Sequence, residues 1–504
     1  CNYAYDAPDV WYSMIGTGEV YAVSTCSSVL NFDTSISVST GSCDLPECVV
    51  YGTYGSGDCP ESSNSASRVV FRTEVGVEYF ISVQGVNYPT EGEFTLEFST
   101  VETPANDECS GAIVIEPDNT TIVVSLANAT ATVGSDTSCE YSSGTPGVWF
   151  SLIGTGDVFS ISTCSSELTF DTALSVSTGS CDNQTCITTG AYNDYGCLET
   201  SYSAAKVIFR TELGVEYFIQ VQGMFSSCQG RFDMHLSTVN APVNDICMDA
   251  ISISNETVSG SITNSTGLVG FSNFCSFSFG APDVWYTLKG TGDVFAVSTC
   301  SSVLDFDSAL TVSSGSCSNP ECIAIAAYND ETCDKGSYRA ARVVFGTDAG
   351  VEYFISVEGV NDPSGGKFEL QISTVVVSPN DDCSGALDIV PGEGPIFGST
   401  SFATYSGTNS SCSGYDSSPD LWYRVEGTGK ILSASTCGIR TNYDSQISIF
   451  EAVGEECDAT CIATSDDSCE CGSDVEWLAN EGVTYYVRVH GSTASSGSFV
   501  LRVL

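Results

Sequence analysis

The side chains that recur at fixed spacing and could do chemistry are cysteines and carboxylates. The chain has 25 cysteines in 504 residues, against two histidines. Cys43/Cys48, Cys181/Cys186 and Cys317/Cys322 return once per repeat, with Cys457/Cys461 one residue closer. That spacing is too wide for the Cys-x-x-Cys of a structural zinc site, so no metal is assigned to sulfur and each pair is expected to close a small disulfide loop. Cysteine at roughly one residue in twenty belongs to an oxidising compartment, which places the chain outside the cell or on its surface.

Carboxylates are the second candidate. Asp33, Asp171, Asp307 and Asp444 stand at one strand start in each repeat, and Asp194 and Asp330 recur in a Tyr-Asn-Asp turn. Oxygen ligands on loops suit calcium, the one cation the sequence suggests. The plainer reading, turn-forming or solvated acids, outweighs it, and no other cofactor is implied. With 63 acidic and 15 basic residues the net charge is −48. Phosphate neutralisation needs clustered Lys and Arg, so nucleic acid is excluded as a partner.

Acid-base or nucleophilic catalysis has little to work with. His235 takes the place of Glu97 and Gln371 in other repeats, and His490 that of Gln84, Gln222 and Glu358. Both are expected on solvent faces of strands, without a repeated Cys or Ser partner. The chain is therefore read as not an enzyme.

The elements that carry these residues are legible from one stretch. APDVWYTLKGTGDVFAVSTC (281–300) returns at 7–26, 145–164 and 418–437, placing Trp11, Trp149, Trp285 and Trp422 at intervals of 138, 136 and 137 residues. Such a period is a whole domain. An apolar run, Gly-Thr-Gly and a second apolar run predict a β-hairpin, with the Trp buried on its first arm. Tyr12, Phe150, Tyr286 and Tyr423 follow the Trp and are the nearest candidates for an aromatic row that would stack on sugars.

Asn-Asp-x-Cys opens three repeats, at 106–109, 244–247 and 380–383. Cys1 matches Cys139, Cys275 and Cys412, which precede each Trp stretch, so the first repeat is expected to lack its N-terminal strands. Alternation then marks strands around Phe306, Leu310 and Val312, around Tyr353, Ile355 and Val357, and around Phe368, Leu370 and Ile372. The predicted fold is all-β: four tandem β-sandwich modules, jelly-roll or immunoglobulin-like, over 1–103, 104–241, 242–378 and 379–504. Short proline-bearing links between them predict a rod. No run of about 18 apolar residues is present to span a membrane.

Phe306-Asp307-Ser308-Ala309-Leu310 with Gly315 and Cys317, Tyr328-Asn329-Asp330 with Cys333, and Gly350-Val351-Glu352-Tyr353-Phe354-Ile355 with Gly359 form a signature covering most of each repeat. It resembles the bacterial pre-peptidase C-terminal domains and their cysteine-rich secreted versions. The resemblance implies a non-catalytic jelly-roll-like sandwich that helps secretion, adhesion or polymer binding. No peptidase domain accompanies it here.

Cysteine arithmetic then predicts eleven bridges. The openings pair with the pre-Trp cysteines (Cys109–Cys139, Cys247–Cys275, Cys383–Cys412). Long pairs join Cys26–Cys59, Cys164–Cys197, Cys300–Cys333, and Cys437 with Cys469 or Cys471, and short loops join Cys43–Cys48, Cys181–Cys186, Cys317–Cys322 and Cys457–Cys461. Left unpaired or intersubunit are Cys1, Cys228 and Cys471. N-glycosylation sequons lie at Asn119, Asn128, Asn183, Asn255, Asn264 and Asn409. The function these features predict is a structural repeat protein of the cell surface: disulfide-rich, glycosylated and acidic, self-associating into a filament, appendage or matrix. The alternatives are an adhesive array on glycans or other polymers, and an accessory region of a secreted hydrolase.

Overall fold

In the computed structural model the described residues are 7–27, 30–42, 45–54, 65–87, 91–131, 139, 145–165, 168, 170–191, 203–224, 230–267, 281–327, 338–360, 365–405, 412, 418–454, 457–469, 472–492 and 495–504. They are almost entirely β, and every strand pairing joins strands of one repeat. The chain forms two compact units, Cys1–Ala241 and Pro242–Leu504. No helix of the described residues is long and apolar enough to cross a membrane.

The third repeat shows the plan. Its strands are β1 (Ile251–Ile253), β2 (Thr257–Ser261), β3 (Asp283–Lys289), β4 (Val294–Ser298), β5 (Asp307–Ser316), β6 (Asn319–Ala327), β7 (Arg342–Gly346), β8 (Glu352–Val360) and β9 (Lys367–Val375). One sheet has the order β1-β3-β8-β5-β6, and the other β2-β9-β4-β7. The second and fourth repeats have the same nine strands in the same two orders, so the β-sandwich expectation holds. Among its described residues the first has seven, equivalent to β3–β9, in sheets of four and three.

The core between the sheets is built from the expected alternation. Tyr286, Phe306, Leu310, Ile355, Phe368 and Leu370 are all buried in it. Phe368 takes Tyr286 and Phe306 edge-on, each at 6.3 Å between ring centroids. That geometry suits the ring quadrupoles.

The Gly-Thr-Gly stretch is not a hairpin. β3 and β4 lie in different sheets, so the link carries the chain across the sandwich instead of turning it back beside itself. Gly290 approaches the Asp348 carbonyl so closely that a Cβ there would lie 2.3 Å from it, and Gly292 has a φ of +90°. Glycine is needed at both places, for contact at the first and for conformation at the second.

The two sheets differ on their outer faces. β9 alternates buried and exposed residues, as a strand with one wet face does. β3 is buried from Asp283 to Leu288, and β8 buries Ser356 and Glu358 as fully as Ile355 and Val357. The β3–β8 sheet is therefore covered on both sides. The opening segment supplies the cover over Trp285 on β3.

Candidate functional site

Each opening is fastened to the Trp strand by the same three devices. In the third repeat Asn244 Nδ2 donates to the Trp285 carbonyl at 2.8 Å, and the Trp285 N–H donates back to the Asn244 carbonyl at 2.8 Å. Asp245 accepts from the Thr266 N–H at 2.6 Å and from Thr266 Oγ1 at 2.9 Å. Cys247 starts a short 3-10 turn, Cys247–Asp249, and is bonded to Cys317. The sets Asn106/Trp149, Asp107/Thr130, Cys109/Cys181 and Asn380/Trp422, Asp381/Thr404, Cys383/Cys457 repeat this arrangement. From there β1 runs parallel to β3, pairing Ile251 with Tyr286 and Ile253 with Leu288.

Beneath this clasp lies a second core. Trp285 packs with Cys247, Ala250, Cys317 and Phe354, and Trp422 with Cys383, Phe450 and Tyr486. Trp149, Trp285 and Trp422 are buried as expected, but on the face of β3 opposite the main core. Their indoles belong to the seal between opening and sheet. Trp11 contradicts the expectation. It is 55% exposed, because the described residues of the first repeat include no opening to cover it.

The disulfides correct the predicted pairings. Cys109 bonds Cys181 and Cys139 bonds Cys186, so neither Cys109–Cys139 nor Cys181–Cys186 forms. Cys383–Cys457 and Cys412–Cys461 likewise replace Cys383–Cys412 and Cys457–Cys461. Cys247–Cys317 rules out both Cys247–Cys275 and Cys317–Cys322, and Cys322 is bonded elsewhere. The register gives the reason. Cys322 sits opposite Ser313, and Cys186 opposite Ser177, so the first cysteine of each short pair lies at the hairpin turn while the second lies farther along β6. Of the long pairs, Cys437 bonds Cys469. Cys26, Cys164 and Cys300 are disulfide-bonded, as is Cys48. Cys1, Cys43, Cys59, Cys197, Cys228, Cys275, Cys333 and Cys471 lie outside the described residues.

The clasp also encloses polar groups. Asp283 is buried, accepts from Trp285 Nε1 at 3.2 Å, and stands opposite Glu358 in register. Burial pushes its carboxyl well above the usual carboxylate range, with Glu358 and Asp245 adding to the rise. In the fourth repeat Asp420 instead meets Arg488, at 2.9 Å from Nε and 2.7 Å from Nη2. His490 was expected on a solvent face and is fully buried, its Nε2 3.0 Å from Ser448 Oγ. The same double coverage is the reason. His235 is only half-buried, with Nδ1 2.9 Å from Thr121 Oγ1.

The candidate aromatic row is not a surface. Phe150, Tyr286 and Tyr423 are in the main cores, and only Tyr12 is exposed. The recurring acids do meet in one place. Asp444, Asp466 and Asp467 bring carboxylate oxygens within 4.8 Å of one another, and Asp466 holds the sequence position of Asp194 and Asp330. Burial, then Asp467 and Asp466, raise Asp444 to about 6. Asp33, Asp171 and Asp307 are described without such a cluster, while Asp194 and Asp330 lie outside the described residues.

Of the sequons, Asn119, Asn183 and Asn255 are exposed and Asn264 is half-buried. Asn128 is also half-buried. Its Oδ1 accepts from Arg68 Nη2 at 2.6 Å and its Nδ2 donates to the Glu102 carbonyl, so the amide serves the junction between the first two repeats. Asn409 lies outside the described residues.

No family model matches the chain, and no curated protein does. Among solved structures, an uncharacterized protein from Burkholderia cenocepacia is 8% identical, with a TM-score of 0.18 over 46% of this chain and 76% of its own. The exported protein XepA of PBSX is 12% identical, with a TM-score of 0.14 over 55% and 90%. A triple-jelly-roll turret protein of an archaeal virus is 11% identical, with a TM-score of 0.14 over 76% and 88%. Likeness at this level carries no argument about function.

Proposed function

We propose that the chain is a non-enzymatic extracellular structural protein, built of modules like the pre-peptidase C-terminal domain and assembled into a cell-surface filament, appendage or matrix. One observation carries the reading: the residues that recur from repeat to repeat close the modules. The openings' Asn, Asp and Cys and the Trp they cover hold a segment down on a sheet. A module so closed is a rigid brick, and cross-linking by disulfides suits an oxidising exterior. The glycan-binding alternative loses its aromatic row to the interior.

Electron microscopy of the purified native material, with gels run with and without reductant, tests the reading. Filaments or sheets in which this chain is a major component are expected. A uniformly monomeric protein, captured on a glycan or polymer surface, would replace it with the binding-array reading.

A further inference from the structure

We infer that the opening of the third repeat is a proton-held latch: it stays seated while the buried pair Asp283 and Glu358 keeps a proton, and it loosens when both carboxylates are ionised. The inference rests on the fold and is independent of the filament reading. Asp283 and Glu358 stand opposite each other in register on β3 and β8, and each is 2% exposed. Asp283 accepts from Trp285 Nε1 at 3.2 Å, and Ser356 Oγ donates to Glu358 Oε1 at 3.4 Å. Neither donor carries a positive charge, and two like charges in so dry a place repel.

The charges around Asp283 are acids. Among the described residues those that act on it are Glu358 from β8 and Asp245 from the opening. β5 sets Ala309 opposite Glu358, and residues 268–280 contain no charged side chain. Burial is the largest cause of the raised Asp283 carboxyl and the two acids add to it, so the folded state holds the proton.

The fourth repeat meets the same burial with a base. Asp420 again accepts from its Trp, at 2.8 Å from Trp422 Nε1, but Arg488 also reaches it, at 2.9 and 2.7 Å. Arg488 stands opposite Trp422 where Ser356 stands opposite Trp285, and His490 opposite Asp420 where Glu358 stands opposite Asp283. A guanidinium keeps its charge throughout the working pH range, so the fourth repeat needs no proton there.

An ionised pair gains water only if a neighbouring element gives way. β3 pairs with β8 over seven residues but with β1 over three, Ile251–Ile253. The opening is therefore the element that yields. The Cys247–Cys317 bond keeps its start tied down, so it loosens without leaving.

Hydrogen exchange of the intact oxidised chain, corrected for the intrinsic effect of pH, reads the latch at Ile251–Ile253 and Asp283–Lys289. A carboxyl raised by folding stabilises below the ordinary carboxylate range, and that contribution is lost as pH rises through the raised value. Protection at both strands should fall by about tenfold or more between about pH 5 and 9, while that of Lys367–Val375 in the other sheet stays level. Replacing both acids by amides, Asp283→Asn with Glu358→Gln, should remove the fall. Ser356→Arg, which imports the fourth repeat's arrangement, should do the same, and serves if the amide pair does not fold. Three results would each overturn the inference. They are level protection in the native chain, an equal fall at Lys367–Val375, and a fall as steep in either variant as in the native chain.

Discussion

The first repeat and its three sisters have one pattern of apolar residues and two different surfaces. Ile36, Val38 and Ile81 of the first are as buried as Leu310, Val312 and Ile355 of the third. The main core thus forms from seven strands alone. Covering the Trp strand does not follow from those strands, since Trp11 stands in solvent where Trp285 is sealed, whereas Ser82 and Gln84 are buried in the first repeat as Ser356 and Glu358 are in the third. Closure is a separate layer, added by about twenty residues around Asn-Asp-x-Cys, and it seals the Trp strand into a second small core.

The largest expected difference is at the tryptophans. Trp285→Ala should destabilise its module by about 3–5 kcal/mol, the range for a buried large-to-small change. Trp11→Ala should cost less than about 1 kcal/mol, as exposed substitutions do. Chemical denaturation of both variants measures the gap, and equal costs would break the comparison.

Next comes the bond between opening and hairpin. Replacing Cys247 and Cys317 together by Ser should cost about 2–4 kcal/mol, and Trp285 should become quenchable by iodide as its cover loosens. Asn244→Ala should cost about 1–3 kcal/mol, because it leaves the buried Trp285 carbonyl without its side-chain donor.

The smallest effect is on pH dependence. Asp381, in the fourth clasp, is raised to about 6, chiefly by burial and against the hydrogen bonds from Thr404. Asp444 is raised to about 6 as well. A raised carboxyl holds its proton more tightly folded than unfolded, so this contribution is present below about pH 4 and is lost as pH rises through about 6. The fourth repeat should therefore melt at a higher temperature at pH 5 than at pH 7. Asp444→Asn should flatten the slope in a calorimetric series.

Much of this was legible before any coordinates. Alternation in DFDSALTVSSGSC and KFELQIST marked the strands and the core face, because a two-residue period has one physical cause. The clasp was not. A sheet covered on both faces has no wet side to betray which residues face the main core, so Trp285 could be read as buried without its own small core being seen. His490 and Glu358 looked solvated for the same reason. Cysteine spacing cannot specify connectivity, and the nearest pairs in sequence proved the wrong ones, because a hairpin sets Cys317 at the turn and Cys322 along the strand. One signal was available. Asn-Asp recurred before each opening cysteine, and neither residue had been given anything to hold.

The central claim is that each opening is stapled across the sheet to the hairpin turn. Disulfide mapping of the non-reduced protein by proteolysis and mass spectrometry addresses it directly. The account predicts Cys109 linked to Cys181 and Cys139 to Cys186, with Cys247–Cys317, Cys383–Cys457 and Cys412–Cys461 beside them. Recovery of Cys109–Cys139 and Cys181–Cys186 instead would contradict it.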